Sequence, residues 1–121
     1  MMRRNGCLGT LLASGLLMGA LGAQADMGDC EVPGMSPDLP DGAQASEEAL
    51  AEASGEVRVF VARTQDYLAC LEEHEASLGE EITEEVQAEI VATYNAAVDT
   101  MQIVAENFNE QVRRFRERSE G

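Results

Sequence analysis

Two apolar stripes, each built on a seven-residue step, constrain this chain more than any other feature. The first steps through Leu50, Val57, Thr64, Leu71 and Leu78, with Ala53, Phe60, Val61, Tyr67 and Leu68 as companions. The second passes through Ile90, Tyr94, Ala97, Met101, Val104, Phe108, Val112 and Phe115. Apolar residues recurring every three to four positions lie on one face of a helix. All five aromatic residues, Phe60, Tyr67, Tyr94, Phe108 and Phe115, fall on one stripe or the other. The pattern predicts an all-α fold, an antiparallel hairpin of helices at about 46–77 and about 83–118 joined by a turn at about 78–82 around Gly79. Ser46 reads as an N-cap, with Glu47 and Glu48 complementing the dipole of the first turn. Gly55 weakens the first helix by about 1 kcal/mol relative to Ala.

Residues 1–25 read as a Sec-type cleavable export signal: Arg3 and Arg4, an apolar core from Leu8 to Leu21, then Ala23-Gln24-Ala25. The small-x-small ending places the cut between Ala25 and Asp26. Residues 26–45 hold all three prolines, Pro33, Pro37 and Pro40, and read as an extended arm, with Asp41-Gly42 as a turn. Residues 46–121 are the helical hairpin. An extended arm is long enough to fold back along the hairpin, with Val32, Met35 and Leu39 as its candidate anchors.

Without the signal two cysteines remain, Cys30 and Cys70. In an oxidising compartment such a pair reads as one disulfide, tying the arm to the first helix. Neither has a second Cys or a His at metal-ligand spacing, so no metal site and no cofactor is expected.

The chain carries 23 Asp+Glu against 8 Lys+Arg, a formal charge of −15. Two of the basic residues and none of the acids belong to the signal, so the mature balance is 6 − 23 = −17. That charge disfavours nucleic acid and anionic membranes, both of which need basic patches. Glu72, Glu73, His74 and Glu75, with Glu80, Glu81, Glu84, Glu85 and Glu89, form the densest acidic run, best read as a solvated face. His74 is expected to be exposed and without a role. Arg113, Arg114 and Arg116 are expected beside Glu47, Glu48 and Glu52 across the hairpin, since a reversal at Gly79 sets residue i opposite 159 − i. Asn95, Asn109 and Gln111 flank the second stripe and are expected to hydrogen-bond the covering arm.

Four segments together, Pro37-Asp38-Leu39-Pro40-Asp41-Gly42, Tyr67-Leu68-Ala69-Cys70-Leu71, Tyr94-Asn95-Ala96-Ala97-Val98-Asp99 and Phe108-Asn109-Glu110-Gln111-Val112, give the chain a resemblance. It resembles a group of small uncharacterised exported proteins of Gram-negative bacteria over most of its mature length. The resemblance implies export to the periplasm or beyond and carries no activity.

No nucleophile–base pair, phosphate loop or zinc pattern is visible, so an enzyme is not expected, and no catalytic residue is assigned. The expected function is that of a non-enzymatic exported helical protein acting through protein–protein interaction or self-association. Two helices and one arm bury little, so pairing into a homodimeric four-helix bundle, or docking on another protein, is the expected remedy. The alternative is an acid- or stress-responsive periplasmic chaperone, or a weak divalent-cation binder. No membrane contact is expected once the signal is removed.

Overall fold

A computed structural model describes residues 27–120 of the chain; the expected signal and the expected cut between Ala25 and Asp26 lie outside them. Two helices, α1 (Glu47–Leu78) and α2 (Glu84–Glu120), are joined by a short 3-10 turn, Gly79–Glu81. The described residues contain no strand, so the fold is the all-α hairpin the seven-residue stripes predict. At about 1.5 Å per residue the two helices are roughly 48 and 55 Å long.

Local chemistry starts and stops each helix. The Ser46 hydroxyl accepts from the Ala49 N–H at 3.0 Å, and the Thr83 hydroxyl accepts from the Val86 N–H at 3.1 Å. Both satisfy donors that a first turn leaves unpaired. α1 ends where Gly79 takes a positive φ of 55° and its N–H donates to the Ala76 carbonyl, a conformation that glycine adopts at least cost.

The core has two centres. Val57, Phe60 and Val104 form one, joined by Leu39, Val61 and Phe108. Tyr67, Leu71 and Ile90 form the other, joined by Met27, Cys30, Tyr94 and Ala97 among others. Val57 and Phe60 cluster with Val104, and Tyr67 and Leu71 with Ile90, which sets residue i near the level of 161 − i, within a few residues. Thr64, fully buried on the α1 stripe, donates its hydroxyl proton to the Phe60 carbonyl at 2.8 Å. That bond removes the penalty of a buried hydroxyl.

The arm lies along one side of the hairpin and is fixed at both ends. Cys30 and Cys70 are bridged, with their sulfurs 2.02 Å apart. At the other end the Asp41 carbonyl accepts from Gln44 at 3.0 Å and Ala45 at 2.8 Å, and the Asp41 carboxylate accepts from the Ala43 N–H. The turn so formed sits directly on α2. The Gly42 N–H donates to Gln111 Oε1 at 2.8 Å, and a Cβ on Gly42 would lie 1.8 Å from the Gln111 carbonyl oxygen. No side chain fits there.

Two of the three expected arm anchors are not anchors. Val32 is 67% and Met35 94% exposed; only Leu39 packs against the core. The half-buried positions of the first stretch are Met27, Cys30 and Pro33, spaced three apart as in a polyproline-type extended chain. Val32 and Met35 share the outward row of that same three-residue repeat. Beyond Gly34 (φ 89°) the chain bends, and Leu39 turns inward.

Candidate functional site

The arm divides the hairpin into a covered side and an open side. On the covered side, Pro37 and Leu39 of the arm face Thr100, Ile103 and Asn107 of α2 across a groove of about 350 Å³. Met27 and Val32 likewise face Glu89, Ala92 and Thr93. A wider recess of about 820 Å³ lies between Met35 and the outer face of α1, with Glu52, Glu56 and Arg63 on its walls. The opposite groove, about 210 Å³, is lined by Glu72, Glu75, Ile90, Val91 and Tyr94 and by no arm residue.

That open side is where the second stripe remains unfinished. The α1 stripe is buried at Leu50, Ala53, Val57, Phe60, Thr64, Tyr67, Leu68 and Leu71. On α2 only Ile90 and Val104 are buried to that degree. Tyr94, Val98, Met101, Ala105, Phe108, Val112 and Phe115 are all half-buried, and Val91 is 47% exposed. In helical phase these form two adjacent seven-residue rows, Tyr94-Met101-Phe108-Phe115 and Val91-Val98-Ala105-Val112, both turned away from the arm.

Away from the closed end, where Glu72 and Glu75 line the groove, the acids avoid this side. Within α1 from Ala49 to Leu71 the acids are Glu52, Glu56 and Asp66; within α2 from Val86 to Arg116 they are Glu89, Asp99, Glu106 and Glu110. Helical phase puts all seven on the backs of the helices or towards the arm. The rim of the open side is Ala51, Arg58 and Gln65 on α1, and Asn95, Gln102, Asn109 and Arg116 on α2. Beside it on α1 runs an exposed row of small residues, Gly55, Ala62, Ala69 and Ala76. Among the described residues no ion pair involves Arg58 or Arg116.

The basic cluster does not pair with the start of α1. Arg113 bonds Glu110 (2.9 Å) and Glu117 (3.0 Å) of its own helix. Arg114 approaches Asp41 of the arm at 3.9 Å, and Arg118 donates to the Ala43 carbonyl at 3.0 Å. The arm's turn occupies the place where Glu47, Glu48 and Glu52 were expected to reach α2. The Arg113 guanidinium holds the Glu110 carboxyl below its ordinary value, and Glu110 in turn raises Arg113.

Gln111 bonds the arm as expected, whereas Asn95 and Asn109 are exposed on the open side, away from it. His74 is half-buried rather than exposed, because Gly28 packs against its ring; a Cβ there would meet Nδ1 at 2.7 Å. The acidic run lies around the closed end, and among the described residues no three His, Cys, Asp or Glu side chains are grouped to hold a metal ion. Among the described residues no helix is long and apolar enough to cross a membrane.

The sequence signal for this surface is the lack of acids on these seven-residue rows between Ala49 and Leu71 and between Val86 and Arg116. Comparison with protein-family models, curated proteins and solved structures returns no match.

Proposed function

We propose that this is a non-enzymatic exported protein that works by docking the open side of its hairpin onto a protein surface. The observation that carries the reading is the pairing of two facts on one side of the molecule. Two rows of half-buried apolar side chains run along α2, and in a chain of net charge −15 acids border them only at the closed end, where Glu72 and Glu75 line the groove with Val91 and Tyr94. Contiguous apolar surface with a polar rim is the usual composition of a protein interface. The disulfide and the Gln111 clamp hold the arm on the other side, which keeps this one free. The Cys30–Cys70 bridge also supports an oxidising destination, as export requires.

The test is native mass spectrometry and gel filtration on the exported fraction, with Ala105→Glu as the probe. The substitution places a charge amid the apolar rows, at a half-buried helical position where glutamate is a good helix former. The wild type is expected to run larger than one chain, and the variant to run as a single folded chain. A wild type recovered as one chain with nothing attached, or a variant that associates as the wild type does, defeats the reading.

A further inference from the structure

We propose that the occupant of the open side is a second copy of this chain, packed face to face with both closed ends at the same end of the pair. This deepens the docking reading above and rests on it.

The case for a second copy is electrostatic. Two chains of net charge −15 repel wherever their acids face each other. They approach most easily along a side poor in acids, and the open side has none from Ala49 to Leu71, with Glu72 and Glu75 bordering it only at the closed end. A basic partner would be served better by the acidic backs of the helices. Arg58 and Arg116, which form no ion pair among the described residues, stand on the rim of the open side.

The register decides the orientation. A two-fold axis parallel to the helices lays α1 of each copy against α2 of the other and leaves every residue at its own level. Position i of α1 then faces 161 − i of the partner's α2, as it does within the chain. Gln65 comes level with position 96, one residue from the partner's Asn95. Arg58 comes level with position 103, beside the partner's Gln102, and Ala51 with position 110, beside the partner's Asn109. Each rung is matched to within about one residue, or 1.5 Å of rise. Small residues at Gly55, Ala62 and Ala69 leave room for close approach. Near the open end, Arg116 lies within two residues of the level of the partner's Glu47.

The opposed arrangement, with the axis across the helices, lays α1 on α1 and α2 on α2. Centred on the apolar rows, which run from Val91 to Phe115, that axis falls at position 103 of α2, level with Arg58. It sets Arg58 against the partner's Arg58, a like-charge contact at the middle of the seam.

The chain contains no lysine, since all eight basic residues are arginine, so introduced lysines are the only side chains open to an amine-reactive linker. Two double variants of the mature, oxidised protein separate the arrangements: Gln65→Lys with Asn95→Lys, and Asn95→Lys with Asn109→Lys. All are exposed helix positions. A short bifunctional reagent is expected to convert the first variant to a species of twice the single-chain mass, and to leave the second and the unmodified chain largely unlinked. Doubling of the second variant in place of the first overturns the aligned register. Light scattering on the unmodified chain guards against variants that misfold, and a doubled mass is expected there. A single-chain mass at high concentration overturns the second copy as occupant. If the exported material then carries a different protein, the docking reading survives; if the lone chain instead binds vesicles of neutral lipid, both fail.

Discussion

Single residues decide how the arm meets the helices, and glycine does so in two opposite ways. At Gly42 the arm's backbone touches the α2 backbone, and the nearest obstacle to a Cβ is the Gln111 carbonyl oxygen, which cannot rotate away. Gly42→Ala is therefore expected to lower stability by about 1–3 kcal/mol, the range for forced overpacking. At Gly55 nothing lies within 4 Å of an added Cβ, and the position is mid-helix, where alanine is favoured by about 0.5–1 kcal/mol. Gly55→Ala is expected to raise the urea midpoint while Gly42→Ala lowers it. Equal shifts in the two would mean that the arm is not seated on α2. Of these two positions only the Gly55 cost was legible in the sequence, because helix propensity is local. The close approach at Gly42 depends on where the arm lands, 69 residues from Gln111.

At the scale of elements, the helices were readable because a seven-residue apolar step has one structural solution, and the caps at Ser46 and Thr83 are chosen by short-range hydrogen bonds. The arm was less readable. An extended chain shows a face only through a weak three-residue repeat, so Val32 and Met35, apolar but on the outward row, passed for anchors. The basic end of α2 was misread for a related reason: opposite charges at matching levels implied contact, but the arm's turn fills the space between them. Its consequence appears in acid. Glu110 is held below the ordinary carboxylate value of about 4.3 by Arg113. A depressed carboxyl stabilises fully above its unfolded-state value, and that contribution is lost as pH falls through the lower folded value. Because the pair is exposed and within α2, acid is expected to fray the end of α2 without opening the hairpin. Far-ultraviolet circular dichroism should fall slightly below pH 4 while the tyrosine signal of the Tyr67 cluster persists; joint loss of both would show that ion pairs hold the helices together.

The disulfide joins elements whose contacts are few. Its loop spans a separation of 40 residues, which in the chain-entropy treatment stabilises by up to about 4 kcal/mol. Reduction is expected to lower Tm by well over 5 °C and to free the arm's first stretch from Tyr67 and Leu71, while the N-cap at Ser46 and most helical signal remain below the transition. A melt unchanged by reductant would mean that Leu39 and the Gln111 clamp alone hold the arm. The pairing itself was legible from the two cysteines left outside the expected signal; which groove the arm covers was not, since both sides of an ideal hairpin offer an apolar seam.

For the whole molecule, the distribution of charge outweighs its total. Acids crowd the closed end and the backs of both helices, and the open side has none between Ala49 and Leu71 or between Val86 and Arg116. Two copies aligned on that side would be held by apolar burial, which salt hardly weakens, and opposed by the acids gathered at the two adjacent closed ends, which salt screens. Between 0.01 M and 0.1 M salt the screening length falls from about 30 Å to about 10 Å. Association of the aligned pair is therefore expected to tighten as salt rises. An opposed pair would bring the Arg116 end of one copy along the Glu84 and Glu85 end of the other, an attraction that salt weakens. Sedimentation equilibrium at the two salt concentrations reads the sign directly. A dissociation constant that falls with salt favours repulsion between neighbouring closed ends, and one that rises would require opposite charges to be the glue.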